Sequence, residues 1–132
     1  MALYAALLYQ PADQYWIAPA DQADQADQAH QERPKASPEY QEFMTEAMNS
    51  GVVRGGEALF PPEMSTTVTV SGGKGGDVIV SDGPYAEAKE VLGGFFLLEA
   101  ADLDEAIKWG AKIPVAWRGG KVELRPVVPL QK

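Results

Sequence analysis

The sequence predicts a single α+β domain, a βαββαβ sandwich with an inserted β-hairpin. Three observations predict it. Short apolar or alternating runs, each stopped by Gly or Pro, recur along the chain as strands. Two stretches with helical apolar spacing fall between them. A Thr-Val alternation followed by a glycine-rich turn supplies the extra hairpin. At 132 residues the chain has the length of one domain and buries enough surface to fold without covalent staples.

Leu3-Tyr4-Ala5-Ala6-Leu7-Leu8-Tyr9 is a continuous apolar run stopped by Gln10-Pro11, the pattern of a buried central strand. A polar excursion over about 12–36 follows. It holds the triplets Asp21-Gln22-Ala23, Asp24-Gln25-Ala26 and Asp27-Gln28-Ala29. A period of three drifts around a helix surface, and alanine buries little, so this low-complexity insertion takes no share in the core. Ser37-Pro38 then opens a helix as N-cap and first helical residue. Tyr40, Phe43, Met44, Ala47 and Met48 give its apolar face, and Gly51 ends it.

Val52 to Leu59 reads as a strand with a bulge or close approach at Gly55-Gly56, closed by Pro61-Pro62. Thr67-Val68-Thr69-Val70, the Gly72–Gly76 turn and Asp77-Val78-Ile79-Val80 make the hairpin. After a charged loop, Phe95-Phe96-Leu97-Leu98 is the next strand. Asp102 and Glu105 form an acidic capping box for a helix whose apolar face is Leu103, Ala106, Ile107 and Ala111, ending near Pro114. Val122 to Val128 is a last strand, whose Pro126 indicates an edge or a bulge. The order is that of a ferredoxin-like sandwich. Helices on one face of its sheet leave the other face bare, and a second copy is the simplest cover, so a homodimer is expected.

The composition excludes several functions. The chain has no cysteine, hence no disulfide, thiolate metal site or cysteine nucleophile, which suits a reducing cytoplasm. Its net charge is −8, which repels phosphate backbones and argues against direct nucleic-acid binding. Met1-Ala2-Leu3-Tyr4 lacks the basic start of a secretory leader, and no apolar run is long enough to span a bilayer. His30 is the one histidine and lies in the polar excursion, so neither a catalytic triad nor a two-histidine zinc site can be assembled. Gly72–Gly76 lacks the spacing of a phosphate loop. No metal or cofactor is expected.

The candidate site is the segment Asp82-Gly83-Pro84-Tyr85-Ala86-Glu87-Ala88-Lys89-Glu90. Gly83-Pro84 makes a rigid turn. Asp82 either bonds the amides that follow it or is aimed into a cleft as an acid–base carboxylate. Lys89 and Arg54 could anchor an anionic group, and Tyr85 could form a wall. Arg54 and Glu57 lie three apart and share a face only if a bulge intervenes, while Glu123 and Arg125 share a face of the last strand. Ligand-binding candidates are therefore Arg54, Glu57, Tyr85, Lys89 and Arg125, with a salt-bridged sheet surface as the alternative reading of Arg54, Glu57 and Arg125.

A longer ordered set frames this segment. It runs from Leu8-Tyr9 through Gly55-Gly56-Glu57-Ala58-Leu59, Pro61-Pro62, Thr66-Thr67-Val68 and Asp82 to Glu90. It continues through Gly93-Gly94-Phe95 and Asp102-Leu103-Asp104-Glu105-Ala106 to Val122-Glu123-Leu124-Arg125-Pro126. In this the chain resembles the DGPF, or YCII-related, family of small bacterial proteins. Tyr85 stands where the family name has phenylalanine, Ala88 where threonine is common, and the Asp-Gln-Ala insertion where relatives are shorter. The resemblance implies a dimeric α/β barrel. It does not transfer the histidine–aspartate pair of some relatives, because no histidine stands in the first strand or the signature segment. It also implies association with extracytoplasmic-function sigma factors. Two functional expectations follow: a small-molecule-binding or enzymatic dimeric barrel with a cleft near the signature segment, or a non-catalytic interaction module acting with a sigma factor.

Overall fold

A computed structural model describes residues 1–13, 36–84 and 89–131. Strand β1 spans Ala2–Pro11, helix α1 Pro38–Ser50 and strand β2 Val53–Ala58. A single 3-10 turn over Pro62–Met64 leads into the hairpin β3 (Thr66–Ser71) and β4 (Asp77–Asp82). Strand β5 (Glu90–Ala100), helix α2 (Leu103–Lys112), the short helix α3 (Pro114–Trp117) and strand β6 (Lys121–Pro126) complete the chain. The sheet order is β2-β5-β1-β6 with antiparallel pairing throughout, the arrangement of a ferredoxin-like α+β sandwich. The hairpin forms a separate two-stranded sheet. No described helix is long and apolar enough to cross a membrane.

The β1–β5 ladder sorts the side chains. Tyr4, Ala6 and Leu8 point to one face, where they are buried with Leu98, Phe43, Ala47, Ile113 and Val115 beneath the helices. Phe43 is the hub: its ring lies 5.4 Å from Phe96 and 6.5 Å from Trp109 in tilted and edge-on contacts. Burial of one such side chain contributes roughly 1.5–3 kcal/mol. Both helix starts are capped as the sequence indicates. Ser37 accepts from the Tyr40 amide, Asp102 accepts from the Glu105 amide at 2.9 Å, and Gly51 closes α1 at φ 79°.

Three expectations need correction. Of the α2 face predicted as apolar only Ala106 is buried: Leu103 and Ile107 are about half exposed and Ala111 is exposed, while Gly110 joins Ala106 on the inside. Small residues let the helix lie against β6, where a Cβ on Gly110 would already meet Leu124 at 3.5 Å. The strand expected at Phe95–Leu98 begins at Glu90, because pairing with β1 continues to Pro11. It absorbs Gly93 as an extra residue, since Leu8 faces Gly94 and Tyr9 faces Leu92. Asp82 likewise belongs to β4, opposite Thr66, and not to the loop. Of the polar excursion, residues 14–35, including His30, lie outside the described residues, as does Tyr85.

Gly56 sits where β2 crosses closest to β5. Its φ is 151°, and a Cβ there would stand 2.5 Å from the Phe95 carbonyl oxygen and 2.8 Å from the Phe96 ring. Both the backbone conformation and the space therefore require glycine. A Gly56→Ala protein should lose about 2–3 kcal/mol, read as a lower denaturant midpoint at unchanged slope.

Candidate functional site

The second face of the sheet carries the odd-numbered residues of β1. Leu3, Ala5, Leu7 and Tyr9 stand beside Phe95 and Leu97 of β5, all of them half-buried with no helix over them. The borders are charged. On the β6 side Lys121, Glu123 and Arg125 lie opposite Tyr9, Leu7 and Ala5. On the β2 side Gly55 and Glu57 lie opposite Leu97 and Phe95. Pairing slips between Val53 and Gly55, so a bulge falls at Arg54, one residue before the predicted position. It turns Arg54 onto the face that holds Glu57, where its guanidinium meets Glu99 at 2.9 Å.

That ion pair holds Glu99 below the usual carboxylate range, first through the hydrogen bond from Arg54 and then through its charge. Arg54 is held up by the same contacts. Arg125 is bonded to its neighbour Glu123. Arg54 and Arg125 stand on opposite edges of the sheet, three strand spacings or about 14 Å apart. Within one protomer they do not form one site.

The turn after β4 is held through Gly83. Its amide donates to the Ser65 carbonyl at 2.7 Å, and its carbonyl accepts from the Thr67 hydroxyl at 2.8 Å. The Gly83 amide is therefore not bonded to the Asp82 carboxylate. Asp82 and Lys89 are exposed, and neither side chain has an ion-pair partner among the described residues. The Lys89 carbonyl accepts from the Ala12 amide, which ties the start of β5 to the end of β1.

Beside this turn lies a cleft of about 420 Å³. The β2–β3 connection provides Leu59, Phe60, Pro61, Pro62 and Met64, the turn provides Pro84, and β5 provides Val91 and Leu92. Ser65 and Glu90 are its polar members. Glu90 is ion-paired with Lys121 across the end of β1. Glu90 and Leu92 face Pro11 and Tyr9, so these two cleft residues also stand on the uncovered sheet face. Of the residues expected at the site, Asp82 and Lys89 flank this cleft in sequence, whereas Arg54, Glu57 and Arg125 border the sheet. The walls from Phe60 to Ser65 were not expected, and the Pro61-Pro62 stop was the sequence signal for a rigid wall there; Glu90 is the last residue of the expected segment. No cluster of three or more metal-ligating side chains occurs among the described residues.

Comparison with known proteins fits this architecture. The model of the YCII-related domain matches residues 3–131. The chain belongs to the YCII-related family. An uncharacterized protein of Rhizobium meliloti (strain 1021) is 40% identical over 70 residues, which cover 52% of this chain and 54% of that protein. The match thus spans about half the length of that relative.

The Arg54–Glu99 pair gives a test of the sheet border. Because the folded-state pKa of Glu99 is depressed, its contribution to stability is present above the unfolded-state pKa and lost as pH falls through the folded one. In an Arg54→Gln protein, carboxyl-carbon NMR should show the Glu99 titration moving up toward the ordinary glutamate range.

Proposed function

We propose that the chain is a small-molecule-binding protein that works as a two-fold dimer, with the cleft beside Pro84 as its ligand site. The observation that carries this reading is the double placement of Glu90 and Leu92, which line the cleft and stand on the uncovered face. A copy packed on that face adds a wall to the cleft. The face suits a second copy because its centre is apolar and both borders carry acids and bases together. A self-complementary contact can then set opposite charges against each other on each rim. Arg54, Glu57 and Arg125 serve that contact. In a Leu97→Lys protein, which puts a charge at the centre of the face, light scattering at micromolar concentration should give the mass of one chain, against twice that for the unaltered protein. A monomeric mass for both would remove the dimer.

The cleft walls select a largely apolar molecule, and Glu90 selects a hydrogen-bond donor or cationic group on it. Lys121, ion-paired with Glu90, is the group the ligand displaces. Asp82, two residues before Pro84 of the cleft, is assigned the acid–base role on the exposed end of such a ligand, and Lys89, next to Glu90, anchors any anionic substituent. The chain has four methionines, and methyl NMR separates Met64 in the cleft from Met48 on the exposed side of α1. Titration with a panel of aromatic amines and amides should move the Met64 methyl and leave Met48 in place. Glu90→Gln should weaken binding about tenfold, the size of a hydrogen bond to a charged group. A panel that leaves Met64 unmoved, or equal binding by Glu90→Gln, would refute the site.

A further inference from the structure

Of the described strands, β3 and β4 are the least protected. Each strand pairs only with the other, and the Gly83 bonds to Ser65 and Thr67 close the hairpin at its own base. Val68 lies opposite Val80 and Val70 opposite Val78, so four valines share one side. They are 47–65% exposed. An isolated two-stranded hairpin is marginal in water, and an uncovered valine side makes this one more so.

The two edges of the main sheet offer a comparison within the same chain. β2 carries Arg54, Glu57 and a bulge, and β6 carries Lys121, Glu123, Arg125 and a terminal Pro126. These are the features that stop an edge from recruiting another strand. β3 has none of them: Thr66-Thr67-Val68-Thr69-Val70-Ser71 contains no charge, no proline and no register shift. β4 is also regular, but it begins and ends in aspartate.

We infer that the free edge of β3 pairs antiparallel with β3 of a second copy, about a two-fold axis at Thr69. A two-fold perpendicular to a sheet keeps each side chain on its own side, so opposed residues must have the same parity. Centring on Thr69 meets this condition. Thr69 faces its own counterpart, Val68 faces the other copy's Val70, and Thr67 faces the other copy's Ser71. Every opposed pair is of a favourable kind, valine on valine or hydroxyl on hydroxyl. The hairpins merge into one sheet of order β4-β3-β3-β4, with the valines of both copies on a single side. The occupant is a second copy because the edge complements itself and is uncharged throughout. Self-pairing of β4 would instead crowd the aspartates of two chains.

The chain has no cysteine, so a single introduced one reports the contact without background. Full-length Thr69→Cys and Ile79→Cys proteins, both altered on the same exposed side of the hairpin, are treated with a short bis-maleimide at micromolar concentration. The Thr69→Cys chain should cross-link at least about tenfold faster, since paired strands hold the thiols at an effective concentration in the millimolar range. Equal rates, a faster Ile79→Cys reaction or no cross-link from Thr69→Cys would overturn the inference. Adding Leu97→Lys to the Thr69→Cys chain separates this contact from the sheet-face dimer. The cross-link should persist there, and its loss would overturn the hairpin as an interface in its own right.

Discussion

The antiparallel ladder between β1 and β5 is the constraint on which the rest of the structure depends. It runs from Ala2 opposite Ala100 to Pro11 opposite Glu90 and places both strands in the middle of the sheet. Strand alternation then divides the chain chemically. One side receives Tyr4, Ala6, Leu8 and Leu98 and is sealed by α1, α2 and α3. The other receives Leu3, Leu7, Phe95 and Leu97 and is left uncovered. A one-residue slip would exchange the two sets, so burial of the helix side fixes the composition of the open side as well.

Most of the fold was legible because local signals agreed with tertiary needs. Ser37-Pro38, Gly51 and the Asp102–Glu105 pair mark helix ends through backbone hydrogen bonds that any environment would demand. The apolar side of α2 was misread because periodicity weighs large residues. Leu103 and Ile107 have the right spacing for a core stripe, yet close contact with β6 requires Ala106 and Gly110 on the inside. Helix–sheet distance is a three-dimensional quantity that spacing does not encode. The start of β5 was missed for a related reason: Gly93-Gly94 looks like a loop, whereas Gly94 lies in the ladder, where an added Cβ would stand 2.8 Å from the Glu57 carbonyl oxygen.

The surroundings of the candidate cleft were legible in part. Gly83-Pro84 does mark a turn beside a cleft, and the Arg54 bulge does bring Arg54 and Glu57 to one face. The charged residues that attracted attention in the sequence sort onto sheet borders, because strands β2 and β6 are edges and edges are where charge is tolerated. The cleft is walled by residues that looked like mere connection, Leu59 to Met64, and its carboxylate is Glu90. A proline-stiffened connection holds a concave shape without a strand or helix to support it, which is why an unremarkable run of apolar residues forms a cavity.

The extra residue at Gly93 has a consequence for how chain length can vary. Beyond it, Leu92 and Glu90 face outward and Val91 inward, opposite to the parity set by Phe95 and Leu97. A chain one residue shorter at that point would restore regular pairing and keep all three residues on their present sides. Only the bend of the strand where it enters the cleft would change. Deletion of a single codon can therefore reshape the mouth of this cleft while leaving its lining, the core and the open sheet face unaltered, a route to diversification that needs no substitution at all.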